Sequence, residues 1–191
     1  LKRFTQLAER EVQRVKILRA LEELAQPSSL KSIEAKAGLM RAQILGLLRG
    51  LTKAGYVQEV GKPAKYLITE KGKELTKKLA DSKDAAARIL RYVAPHHAFH
   101  FYIAIGHSTG QVAKSLAEFC DFLKTVDVRS IEFHLPRGDF EKWIKEVLSD
   151  IDLSTKIAEI KKLGLKGEEL RKKLYETVKA RYDELSRIVQ A

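Results

Sequence analysis

The sequence predicts a mainly α protein in two parts: three helices, a β-hairpin and a further helix, followed by an all-helical second part. Three observations lead there. Apolar residues recur at helical spacing through most of the chain, the period becomes strand-like around residues 56–69, and the charge is divided unevenly. Residues 1–90 hold 19 Lys and Arg against 10 Asp and Glu, whereas residues 91–191 hold 17 against 15. A strongly basic half is thus joined to a nearly neutral one, and the layout suits a first half that meets polyanion and a second that does not.

The elements of the basic half follow in order. Val12, Val15, Leu18, Leu21 and Leu24 share a helical face within REVQRVKILRALEELA. Gln26, Pro27, Ser28 and Ser29 end that helix and provide an N-cap for a short second one, SLKSIEAKAG, closed by Gly38. A third helix, from about Met40 to Ala54, turns Ile44, Leu47, Leu48 and Leu51 inward and stops at Gly55. YVQEVG and KYLIT are strand-like runs separated by the turn Gly61-Lys62-Pro63-Ala64, and TEKGKELTKKL resumes helix with Thr69 as its cap.

Residues 81–93 prolong that helix until Pro95, so the expected domains are 1–80, a connecting helix 81–95, and 96–191. The apolar run Phe99, Phe101, Tyr102, Ile103, Ala104, Ile105 fits a buried strand or a helical turn equally. Ser108 or Thr109 is the expected cap of QVAKSLAEFCDFLKTV, with Val112, Leu116, Phe119, Cys120 and Leu123 on its apolar face. Asp127 caps a short helix that Pro136 breaks, Asp139 caps FEKWIKEVL, and two helices near 152–163 and 167–190 close the chain. The last carries Leu170, Leu174, Val178, Tyr182 and Leu185 on one stripe, which serves either a two-fold dimer or partner seam or docking on its own domain. The homodimer is the expectation carried forward.

Composition bounds the chemistry. Cys120 is the only cysteine, so neither a disulfide nor a thiolate zinc site forms within one chain. No eighteen-residue apolar run is present and LKRFTQLAEREVQRVK lacks a signal-peptide core, so a cytoplasmic protein without a membrane part is expected. The absence of Asn, a single Met and abundant Lys and Glu match a hyperthermophile's usage. All five histidines lie between His96 and His134, without H-E-x-x-H spacing and without a nucleophile–base pair or Gly-rich phosphate loop. No catalytic residue, metal ligand or cofactor is therefore assigned. His134 and Asp139 are expected to make capping or packing hydrogen bonds.

The polyanion candidates are Arg41, Gln43, Arg49 and Lys53 on the outward face of the third helix, Lys62 and Lys65 around the hairpin turn, and Lys71 and Lys73 beyond it. Among them stand Leu45, Gly46 and Gly50, which offer base edges no side-chain donor or acceptor. Gly46 and Gly50, four apart, instead allow another surface to approach the helix backbone closely.

The segment LLRGLTKAGYVQEVGKPAKYLITEKGKEL resembles the winged helix-turn-helix modules of archaeal and bacterial regulators, over about residues 8–80. The resemblance implies a winged helix, a fold that binds DNA, RNA or protein. AKSLAEFCDFLKTVDVRSIEFHLPRGDFEKWIKEVLSD resembles an uncharacterised helical domain of archaeal and bacterial proteins, through its S-I-x-F-H and R-G-D-F-x-x-W-I blocks and over about residues 96–182. That second resemblance implies a regulatory setting and no established reaction. Leu45 and the two glycines favour a non-enzymatic ribonucleoprotein factor, its winged helix laid on structured RNA or a ribosomal subunit to dimerise subunits or block their association. The alternative is a DNA-binding transcriptional regulator, and a third reading is a metal-dependent enzyme using the histidines.

Overall fold

The computed structural model describes residues 2–190, and the side chains of residues 9–190. The chain forms two compact units that divide between Asp81 and Ser82.

The first unit contains α1 (Lys2–Leu24), α2 (Leu30–Ala37), α3 (Arg41–Lys53), β1 (Val57–Val60), β2 (Lys65–Ile68) and the start of α4 (Glu70–Leu90). Its core gathers Ile17, Leu18 and Leu21 of α1, Ile33 of α2, Ile44, Leu47, Leu48 and Leu51 of α3, and Val57, Tyr66 and Ile68 of the hairpin. Each fully buried Leu or Ile contributes about 1.5–3 kcal/mol over exposure. On α1 the buried face is centred on Ile17 and Leu21, leaving Val12 and Val15 only half-buried. This is a rotation of the stripe expected from the sequence. Ser29 caps α2 by accepting the Ser32 N–H at 3.2 Å, and Gly38 ends it in the left-handed conformation at φ 64°. The hairpin pairs Val57 with Ile68 and Val60 with Lys65. Ser28 adds a third strand position, exchanging both backbone hydrogen bonds with Tyr66 at 2.9 Å.

The second unit runs from the rest of α4 through a 3-10 turn (Pro95–His97), β3 (Phe99–Ala104), β4 (His107–Ala113), α5 (Leu116–Thr125), α6 (Val128–Arg137), α7 (Asp139–Trp143) with a following π turn (Ile144–Leu148), α8 (Ile151–Lys162) and α9 (Gly167–Gln190). The protein is mainly α, but the expectation of an all-helical second part is corrected by the β3–β4 hairpin. Ser108 and Thr109 lie in β4, and Ser115 is the cap of α5. Its hydroxyl accepts the Glu118 N–H at 3.2 Å, while the Glu118 carboxylate accepts the N–H of Lys114, the residue before the cap, at 2.7 Å. Pro136 does not break α6, which ends two residues later at left-handed Gly138.

The core of this unit combines a cluster of aromatic rings with aliphatic side chains. Phe119 lies 5.3 Å from the rings of both Phe140 and Trp143, and Phe99 lies 5.0 Å from Phe101. Leu170, Leu174, Val178 and Leu185 of α9 are buried in this same core, with Tyr182 packed against it. The α9 stripe therefore docks on its own unit, and the dimer seam expected there is corrected: a residue already enclosed has no apolar surface left to offer a second copy. On the same face of α9 the nearly buried Arg181 reaches the fully buried Asp150 carboxylate at 2.8 Å, and it also pairs with Glu184 of its own helix at 3.0 Å. Asp150 also caps α8, accepting the Leu153 N–H at 3.0 Å.

Candidate nucleic-acid interface

The outward side of α3 is set by what its inward side buries. With Ile44, Leu47, Leu48 and Leu51 in the core, the helical repeat turns Ala42, Gly46, Arg49 and Lys53 outward, flanked by Arg41 and Leu45 on one side and Gln43 and Gly50 on the other. Arg41, Arg49, Lys53, Lys62 and Lys65 are all exposed, and none has a carboxylate partner among the described residues. Lys62 stands in the turn between β1 and β2, and Lys65 opens β2 opposite Val60.

The other candidates are differently engaged. Gln43 uses its side-chain oxygen to accept the Met40 N–H at 3.0 Å, closing the start of α3 and leaving its amide NH2 free to donate. Lys71 donates to the Ala54 carbonyl at 2.8 Å and lies over the Tyr56 ring at 4.8 Å. It closes the C-terminal end of α3 together with Thr69, whose hydroxyl donates to the Gly55 carbonyl at 2.7 Å. Lys73 pairs with Glu70 at 2.7 Å. Lys71 and Lys73 are exposed too, but each is engaged by a partner within the unit, unlike the five unpaired cations. Gly72 lets this corner close, since a Cβ there would stand 2.3 Å from the Tyr56 carbonyl oxygen.

Sequence reasoning overlooked α1 as a neighbour of this face. Glu9, Arg10 and Gln13 of α1 and Ala42, Gln43, Gly46 and Leu47 of α3 line a groove of about 320 Å³. Arg14 lies against Gly50, where an added Cβ would be 3.4 Å from its guanidinium, and pairs with Glu11 at 2.7 Å. The surface that the glycine pair accommodates is, at Gly50, another helix of the same unit. The visible signal was polar residues on α1 between those of its buried stripe.

The histidines are not gathered into a site. His134, 4% exposed, has both ring nitrogens engaged. Its Nε2 accepts the Tyr102 backbone N–H at 2.9 Å, so Nδ1 carries the proton and donates to Asp139 at 2.8 Å. Asp139 therefore serves His134, and Arg137 at 3.2 Å, while Gly138 holds the cap position of α7. Among the described residues no three His, Cys, Asp or Glu side chains approach closely enough to hold a metal ion. Burial pushes the Cys120 thiol up to about 11, which keeps it protonated at neutral pH. No helix among the described residues is long and apolar enough to cross a membrane.

Two family models match the chain. Residues 15–61, from α1 through β1, match the IclR helix-turn-helix domain, and this similarity favours the DNA-binding alternative over the ribosomal reading. No curated protein and no solved structure gives a significant match. The second model matches residues 63–179, beginning in the hairpin turn and therefore taking in β2 and all of α4. Since that match covers most of its length, the chain belongs to the family of unknown function DUF5752.

Proposed function

We propose that the protein is a DNA-binding regulator whose winged helix docks α3 and the β1–β2 wing on duplex DNA. The observation that carries this is the set of five exposed cations without carboxylate partners, Arg41, Arg49, Lys53, Lys62 and Lys65, on two adjoining elements of a module similar to a helix-turn-helix. A cation left unpaired by folding keeps its full attraction for phosphate, and each phosphate neutralised releases counterions. The outermost stripe of α3 begins with Ala42 and Gly46, so its N-terminal half can approach the floor of a groove closely while Arg49 and Lys53 reach the flanking strand.

Anisotropy titration of a labelled mixed-sequence duplex over a salt series tests the proposal. Replacing Arg41, Arg49, Lys62 and Lys65 together by Ala should reduce the salt slope by about one for each phosphate that is no longer neutralised. Site selection from a random duplex pool should then return a preferred site at least about 10³-fold above non-specific binding. A structured RNA bound more tightly than every duplex, with the same four residues responsible, would return the case to the ribonucleoprotein reading.

A further inference from the structure

We propose that α1 completes the DNA-reading face: Arg10 and Gln13, across the groove from Gln43 and Gly46 of α3, contact the duplex beside the major groove that α3 enters. The inference rests on the DNA-binding reading above and adds residues that lie outside the helix-turn-helix match, which begins at residue 15.

Along the groove itself, α3 is short of functional groups. Ala42 and Gly46 present no donor, and Gln43 has its oxygen committed to the Met40 N–H. The missing groups stand on the opposite wall. Arg10 is exposed and has no carboxylate partner among the described residues, and the Gln13 amide borders the same groove. A guanidinium and two amides are the side chains that pair with guanine, adenine and phosphate oxygens. Gly46 leaves the space between the walls open, because a Cβ there would meet nothing within 4 Å. Gly50, one turn further on, seats the Arg14 guanidinium, so α1 is held alongside α3 at the C-terminal end of the groove. Glu9 also borders it and repels phosphate, so it sets a limit on non-specific attraction.

The test is anisotropy titration of the full chain against the same mixed-sequence duplex, with melting followed in parallel. Arg10→Ala should weaken binding about threefold to tenfold and lower the salt slope by about one, and Glu9→Gln should strengthen it. Gly46→Leu is the sharper variant. It should raise the melting temperature, since Leu is the better helix former and the site is open, yet weaken binding about tenfold by filling the groove. A residue with only a structural role would not move stability and affinity in opposite directions. If Arg10→Ala, Glu9→Gln and Gly46→Leu all bind as the wild type does while Lys62→Ala/Lys65→Ala weakens binding, the inference is overturned and the DNA-binding reading survives. A wild-type chain without salt-dependent duplex binding overturns both.

Discussion

The two units differ in how deeply their ion pairs are built into the fold: those of the first are exposed, whereas the second buries Asp150 against Arg181. In the first, Arg41, Arg49, Lys53, Lys62 and Lys65 take no part in holding the fold together. In the second, Arg181 joins Asp150, Asp152 and Glu184, Arg171 joins Glu168, and Lys179 joins Asp183. Arg129 binds Asp127 closely enough to hold that carboxyl at about 2, well below the usual carboxylate range. The nearly balanced composition of the second half supplies carboxylate partners for cations that pack there, whereas the first half's surplus of Lys and Arg leaves these five unpaired.

The comparison can be broken most severely in the second unit. Val178→Glu would place a carboxylate at a site with no solvent exposure, a cost of several kcal/mol, and should unfold that unit. Trp143 is the only tryptophan and is buried there, so its fluorescence reports that unit by itself. A folded Val178→Glu monomer with native emission would revive the dimer seam.

Asp150→Ala is next in size. It leaves the Arg181 guanidinium without its buried counterion and should cost about 3–5 kcal/mol, read from the urea midpoint of Trp143 emission. A loss comparable to that of an exposed pair would mean that the second unit's charges are as dispensable as the first unit's.

His134→Leu strands the Tyr102 N–H and should cost about 1–3 kcal/mol. The same residue sets a pH dependence. Burial lowers the His134 pKa from 6.5, outweighing the favourable Asp139 interaction. The unfolded state therefore binds more protons near that pH. His134's contribution to stability is complete above about 6.5 and is lost as pH falls below it. Comparing wild type and His134→Leu from neutral to mildly acid pH should show the wild type losing more of its stability over that range.

Smaller effects belong to the first unit. Lys71→Met removes a hydrogen bond to the Ala54 carbonyl and should lower stability by about 1 kcal/mol, measured by thermal melting. Smallest of all, Ala at Arg41, Arg49, Lys62 or Lys65 should change stability by no more than about 0.5 kcal/mol each. If those four instead weaken folding as Asp150→Ala does, the contrast between the units fails.

The local arrangement of the chain was open to inspection in its residues. Helical spacing marked Ile44, Leu47, Leu48 and Leu51 as the inner face of α3, alternation and the Gly61–Ala64 turn marked the wing hairpin, and Ser29 and Asp127 marked helix starts. The Ser115 cap was equally open, because S-L-A-E spells a capping box, but the apolar residues before it drew the helix too far upstream. These features depend on neighbours within one turn or one hairpin, where spacing alone determines which side chains can meet. Others depended on groups far apart along the chain. The run from Phe99 to Ala104 became β3 because β4 pairs with it and α6 supplies His134 to the Tyr102 N–H. Ser28 became a strand position because Tyr66 lies beside it. The α9 stripe suited a partner or its own core equally well by period, and only the burial of Leu170, Leu174, Val178 and Leu185 within the second unit decided between them. Periodicity fixes which face of an element is apolar, while the identity of what covers that face is a property of the tertiary structure.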